Sequence, residues 1–218
     1  DVAEAFYNRA NTLRDLRRND DALESVDVAL RLSPDYVEAL NCRAVVLRNL
    51  RRNDEAFACV ERALAIDPGY VEALHNNGNW LMMSERYAEA AEIFERLLHI
   101  DPEWEYAPGQ LIYCRAHMCD WRDSTPKAAE LTARVRAGKR AVTPFPMLAL
   151  SDSAADQLRC ARIWAADQYP PSPNPLSRGE RFGHDRIRIA YMSAEFREHA
   201  TSYLIAELFE LHDKSRFH

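Results

Sequence analysis

The strongest constraint on this chain is a period. The segments LRLSPDYVEAL, LAIDPGYVEAL and LHIDPEWEYAP carry Pro34, Pro68 and Pro102, each 34 residues after the last. The upstream turns keep the same step, as LRRNDDAL (16–23), LRRNDEAF (50–57) and SERYAEAA (84–91). A fixed spacing in this range marks stacked repeat units, each unable to bury its apolar face alone. Small residues recur where two helices must approach closely. Ala10, Ala44 and Gly78 share one position and Ala22, Ala56 and Ala90 another. Ala29 and Ala63 share a third, which Leu97 takes in the last copy. Large residues fill the spaces between: Phe6, Leu40 and Leu74; Leu13, Leu47 and Leu81; Val26, Val60 and Phe94. Within each helix these fall on one apolar stripe. Each proline follows a second helix, where its missing N–H and its ring stop the helix.

The small residues at the eighth and twentieth positions of the unit, with proline at the thirty-second, resemble the tetratricopeptide repeat over residues 3–104. A fourth first helix, over about 106–119, continues the stack as a cap, with Pro108 and Arg115 at apolar positions. The resemblance implies a right-handed α-solenoid, with a concave groove that binds peptides or partner proteins. Asn8, Asn11, Asn41, Asn76 and Asn79 fall on the groove side. An amide donates and accepts, so spaced amides can hold an extended backbone whatever its side chains. The competing reading is that asparagine only tolerates an exposed helical position. Asparagine is a mediocre helix former, so its repetition favours use, whereas Cys42 interrupts the column between Asn8 and Asn76.

Beyond His117 the period is lost. A polar helix is expected from about Thr125 to Val135, with Leu131 and Val135 inward, ending near Gly138. Pro144 and Pro146 predict an extended segment through TPFPMLAL. Ser151 is placed as the cap of a helix reaching Gln168, with Ala154, Leu158, Ala161 and Trp164 or Ala165 on its packing face. Residues 169–185 follow, with four prolines in six residues at 170–175. They read as a linker or arm, or taken alone as a proline-rich recognition motif.

The last stretch changes character. RIRIAYMSAEF (186–196) has the near-continuous apolar run of a buried parallel strand, in Ile187, Ile189, Tyr191 and Met192. TSYLIAELFELH (201–212) predicts a helix with Leu204, Ile205, Leu208 and Leu211 inward, and DKSRFH the turn into a second strand. This is a β–α–β start without the glycine fingerprint of dinucleotide binding. Ligands of open α/β sheets bind beyond the carboxyl ends of the strands, the edge where Ser193–Thr201 fall.

Two features resemble the O-linked N-acetylglucosamine transferases and their SPINDLY relatives, glycosyltransferase family 41. They are the CDW of 119–121, placed after the last repeat helix, and RIAYMSAEFREHATSYLI (188–205). Ser193, Phe196, His199, Thr201 and Ser202 match the family's strand-end motif. Glu195 stands for the usual aspartate, Ala200 for proline and Tyr203 for a second histidine. Arg197 and Glu198 stand where glycine and asparagine are common. The resemblance implies a mainly α chain. Three repeats (1–104) lead to a junction helix with CDW (105–122), then a helical connector and proline-rich arm (123–185). Residues 186–218 would open a Rossmann-like GT-B lobe. It implies transfer of a sugar, N-acetylglucosamine from UDP-GlcNAc or fucose in the SPINDLY branch, to Ser or Thr of acceptor proteins held along the groove. His199 would be catalytic, and Ser193, Thr201 and Ser202 would bind substrate. The nucleotide sugar is a donor substrate, and no cofactor or metal is expected. The donor-binding lobe is expected in further C-terminal chain, without which residues 1–218 would be inactive.

His199 has a plain alternative as a solvated or capping residue before a helix. A neutral imidazole there could exchange a hydrogen bond with a hydroxyl, and the helix end could hold an oxyanion. The second function reading is a non-catalytic scaffold that binds peptides or partner proteins. Net charge is −6, which argues against nucleic-acid and anionic-membrane partners. Five scattered cysteines (Cys42, Cys59, Cys114, Cys119, Cys160) without a C-x-x-C read as reduced thiols in small core gaps, pointing to the cytoplasm. Cys114, His117 and Cys119 are poorly spaced for zinc.

Overall fold

A glycine or alanine on the first helix of each of the three repeats lets its partner come into contact, and the architecture follows from that contact. In the computed structural model, which describes residues 1–175, 179 and 183–218, the described residues form eleven helices and no strand. Three antiparallel pairs come first: α1 (Val2–Asp15) with α2 (Asn19–Leu32), α3 (Val37–Asn49) with α4 (Asn53–Ile66), and α5 (Val71–Met83) with α6 (Tyr87–Ile100). Ala10, Ala44, Ala22, Ala56 and Ala90 are fully buried. At Gly78 a Cβ would lie 2.8 Å from the Phe94 ring, so only hydrogen fits there. Phe94, Leu47, Leu74 and Leu97 are wholly enclosed, each stabilising the fold by about 1.5–3 kcal/mol.

The turn inside each pair is closed by backbone rather than by glycine. Arg17, Arg51 and Glu85 take left-handed φ values of 59°, 64° and 60°. The next residue's N–H then returns to the carbonyl of Leu13, Leu47 or Leu81 at 2.9 Å, which satisfies a terminal carbonyl of the first helix.

The first helices α1, α3, α5 and α7 (Ala107–His117) touch one another in sequence, whereas α2, α4 and α6 do not. The first helices therefore form a tight inner layer and the second helices a splayed outer one. This is a solenoid with its concave face on the first helices.

After α7 come α8 (Ser124–Arg136), α9 (Pro144–Leu150) and α10 (Ala154–Gln168). Leu131, Val135, Ala141, Val142, Met147 and Cys160 form their core. Residues 140–142 run beside the start of α7. The N–H groups of Tyr106 and Gly109 donate to the carbonyls of Arg140 (2.6 Å) and Ala141 (3.0 Å), covering amides a helix start leaves unpaired.

Four expectations change in this region. The segment with Pro144 and Pro146 is helical, because both prolines sit in the first turn, where a missing N–H costs nothing and φ is already set. The cap of α10 is Ser153, whose Oγ accepts from the Asp156 N–H at 3.4 Å, while Ser151 ends α9. The packing face of α10 is Asp156, Cys160 and Ile163, and Leu158 is exposed. The face is turned by the pairing of Asp156 with Arg136 on α8, at 2.8 and 2.6 Å. Cys119 is exposed, unlike the other four thiols.

The chain divides into two compact units, residues 1–170 and 171–218. The second holds α11 (Ala200–Leu211). The expected strands do not form. Among the described residues, pairing is confined to a parallel bridge between Ile187 and Phe217, with Ile187–Ile189 bonded to Arg216–His218 at 2.8–2.9 Å, too few consecutive pairs for a ladder. The inward face of α11 also differs. Phe209 packs edge-on against Tyr191 and Phe196, with ring centroids 5.0 and 6.0 Å away, while Leu204 and Leu211 are 82% and 73% exposed. Part of the proline-rich arm, residues 176–178 and 180–182, lies outside the described residues.

Glycine positions separate packing from permissiveness. A Cβ at Gly109 would sit 2.7 Å from the Val142 backbone, whereas at Gly69 the nearest contact is an ordinary 3.4 Å. Gly109→Ala should therefore destabilise by about 1–3 kcal/mol in urea titration, and Gly69→Ala by no more than about 0.5 kcal/mol.

Candidate functional site

The 34-residue period places like residues side by side across the inner layer, and this builds the first candidate site. Asn41 on α3 and Asn76 on α5 meet directly, Asn76 Nδ2 donating to Asn41 Oδ1 at 2.9 Å. Asn79 Nδ2 lies 3.0 Å from His75 Nε2, and Gln110 Nε2 on α7 donates to Asn79 Oδ1 at 2.6 Å. Gln110 Oε1 is enclosed and has no partner. At the other end, the Cys42 thiol donates weakly to Asn11 Oδ1 at 3.4 Å. Burial pushes that thiol up to about 11, so it keeps its proton and can donate. Cys42 therefore joins the polar column that it interrupts in the sequence. Asn11, Asn41, Asn76 and Asn79 are half-buried, and Asn8 is exposed, its carbonyl accepting from Thr12 Oγ1.

Aromatic residues flank the column. Tyr7 and Tyr36 pack with centroids 5.3 Å apart, and His75 and Trp104 with 5.6 Å. Burial, then the charge of Glu72, raises the Tyr70 phenol well above its ordinary value. Burial lowers the pKa of His75, so the ring stays neutral and its Nε2 accepts from Asn79. Three kinds of residue were missed in the sequence: Gln110, His75 and the Tyr36/Tyr70/Trp104 series. The signal was available. Gln110 lies 34 residues after Asn76, and Tyr36, Tyr70 and Trp104 are themselves 34 apart.

The second candidate site lies in the other unit, at the start of α11. His199 is the N-cap, its Nδ1 accepting from the Thr201 N–H at 3.2 Å and lying 3.2 Å from Thr201 Oγ1. Its Nε2 lies 2.7 Å from Glu195 Oε2, an oxygen enclosed and otherwise unpartnered. Ser193 Oγ accepts from the Glu195 N–H at 3.0 Å, and Ser202 Oγ donates to the Glu195 carbonyl at 2.7 Å. Ser193, Glu195, His199, Thr201 and Ser202 thus form one local network. An Nδ1 that accepts from an amide keeps its lone pair there, which leaves the proton on Nε2, facing the carboxylate.

No group of three His, Cys, Asp or Glu residues that could hold a metal occurs among the described residues. No described helix is long and apolar enough to cross a membrane.

Comparison with known proteins agrees with the repeat architecture. Residues 7–71 and 47–107 match two family models, each described as tetratricopeptide repeat. A curated relative is the probable UDP-N-acetylglucosamine–peptide N-acetylglucosaminyltransferase SEC of Arabidopsis thaliana, 28% identical over 119 residues. That match spans 48% of this chain and 12% of the relative's length. Among solved structures, MamA from Desulfovibrio magneticus RS-1 superposes with TM-score 0.57 at 15% identity, covering 79% of this chain and 98% of its own. The first repeat domain of Spaghetti, bound to the HSP90 peptide SRMEEVD, gives 0.52 at 19% identity, covering 54% and 94%. A mutant O-GlcNAc transferase of Thermobaculum terrenum gives 0.52 at 20% identity, covering 99% of this chain and 36% of its own.

The amide column makes two checkable predictions. A double-mutant cycle of Asn41→Ala and Asn76→Ala should show a coupling of about 0.5–1.5 kcal/mol in denaturant titration. Because the folded-state pKa of His75 is depressed, the unfolded chain binds the proton first. Stability should therefore fall as pH drops below about 6.5, and His75→Gln should flatten that part of the profile.

Proposed function

We propose that this chain is the acceptor-holding region, and the beginning of the catalytic region, of a protein O-glycosyltransferase. The observation that carries the reading is a conjunction in one chain. A repeat groove presents a column of half-buried amides, and a separate unit presents a His–Glu–Ser–Thr network at a helix start. Similarity to the Arabidopsis relative, named as a probable peptide N-acetylglucosaminyltransferase, supports it.

In this reading Asn8, Asn11, Asn41, Asn76 and Asn79 bind the backbone of an acceptor protein, joined by Gln110. Each paired amide keeps a second N–H and a second lone pair for the ligand. The donor is a nucleotide sugar, UDP-GlcNAc by the relative's activity, and the acceptor group is a Ser or Thr hydroxyl. His199 is the catalytic candidate, with Ser193, Thr201 and Ser202 positioning substrate beside it. Glu195 Oε2, 2.7 Å from Nε2, orients the ring so that Nδ1 can act as the general base toward a hydroxyl. The parallel bridge between Ile187 and Phe217, with α11 between, has the connectivity of a β–α–β unit. We read it as the opening of a Rossmann-like lobe.

One observation favours a second reading, a scaffold without chemistry: both ring nitrogens of His199 are already engaged within its own loop. Transfer of N-acetylglucosamine from UDP-GlcNAc to protein by the natural gene product carrying this sequence separates the two. On the transferase reading, His199→Ala should lower kcat by about 10²–10⁴-fold, and Asn76→Ala should raise KM with kcat unchanged. Full activity in His199→Ala would remove that residue from the chemistry, and no donor binding at all would leave the scaffold.

A further inference from the structure

The fourth unit of the stack opens a hairpin that the first three close. Its small position is occupied by Ile112, 34 residues after Gly78. At Gly78 even a Cβ would meet the partner phenyl ring at 2.8 Å, so an isoleucine there excludes a closely packed second helix. Accordingly α7 and α8 touch only sparsely, whereas the paired helices of each repeat pack closely. The gap is a cavity of about 630 Å³ walled by α7, α8 and α9, within the range of ligand pockets.

Its chemistry is lopsided. The floor is apolar, with Ile112, Ala116, Ala128 and Leu150. Trp121 lines it while 63% exposed, an indole left for a partner to cover. Arg115, Arg122, Lys127 and Arg136 line it against one carboxylate, Asp120. Three of these cations have acidic partners: Arg115 with Glu95, Arg122 with Asp120, and Arg136 with Asp156. Lys127 has no ion-pair partner among the described residues. In a chain of net charge −6, this is a basic rim around an apolar slot.

We propose that the α7–α8–α9 cavity is a docking site for an acidic peptide carrying a bulky apolar anchor. The anchor fills the volume that a second-helix side chain fills in the closed repeats, as Phe94 does beneath Gly78. The flanking carboxylates meet Lys127 and the arginine rim. The site does not depend on what the amide groove holds, nor on sugar transfer.

The test uses the full chain and three fluorescein-labelled peptides, EEFLEE, KKFLKK and EEGGEE, read by anisotropy. EEFLEE should bind at least tenfold more tightly than either other peptide. Ala129→Trp and Ala116→Trp, which fill the cavity, should weaken it at least tenfold with helical circular dichroism retained. Lys127→Glu, at a half-buried position on the rim, should weaken it about fivefold or more. Asn76→Ala, in the groove, should leave it unchanged. Equal affinity of the three peptides, undiminished binding in Lys127→Glu, or loss of binding in Asn76→Ala would overturn the proposal. Should a cavity-filling variant lose its helicity, the lysine variant alone decides.

Discussion

The close approach of each first helix to its partner governs the rest of the repeat unit. With no Cβ at Gly78, the Phe94 ring lies against the helix backbone. Alanine at the same position in the earlier repeats does the equivalent with Val26 and Val60 as the bulky partners, both fully buried. That contact fixes the crossing of the pair, and so the rise from one pair to the next. Because all three pairs share it, residues 34 apart come into register along the inner layer. The column of Asn41, Asn76, Asn79 and Gln110 is a consequence of that register rather than a separate device. The same logic explains where the stack stops: Ile112 prevents closure, and α8 turns away to make a core with α9 and α10 instead.

An amide half-buried in a helix layer must find partners, since an unsatisfied polar group costs about 1–3 kcal/mol. Here the amides find one another, across helices. The pairing has two effects: it ties successive repeats together through polar as well as apolar contact, and it fixes which way each side chain points before any ligand arrives. A groove whose amides are already oriented loses less conformational freedom on binding. Neutral His75 belongs to this arrangement, because a charged ring could not accept from Asn79.

The solenoid was legible because its information is redundant: several small, large and proline positions agree over three copies. The polar groove was half legible. Asparagine stands out as a poor helix former, but His75 and Gln110 are recognised only when the period is applied to every position. The region after His117 was least legible, since no repeat constrains it. Two prolines in sequence suggest extension, yet both fit a helix's first turn when Thr143 precedes them in extended conformation. Apolar pattern points to a different face of α10 from the one that packs: Asp156 turns inward to meet Arg136, which no spacing rule within α10 reveals. The β expectation rested on an apolar run, and composition does not say whether enough neighbouring pairs exist to complete a ladder.

The second unit poses a question of proton inventory. His199 caps α11 through Nδ1 and faces Glu195 through Nε2, so neither nitrogen is idle. A base needs a free lone pair, and the ring's only lone pair is the one on Nδ1 that holds the cap. Taking a hydroxyl proton at Nδ1 would give up the bond to the Thr201 N–H, and the new charge would face the positive end of the helix. Nε2 carries a proton and no lone pair, and loss of that proton to the Glu195 carboxylate would leave an imidazolate, which a carboxylate is too weak a base to form. The lone pair at Nδ1 is therefore the one a base would use, and its use gives up the cap. On the proposed transferase reading Glu195, 2.7 Å from Nε2, orients the ring, and Ser193 and Ser202 bond the backbone N–H and carbonyl of the residue that carries this carboxylate.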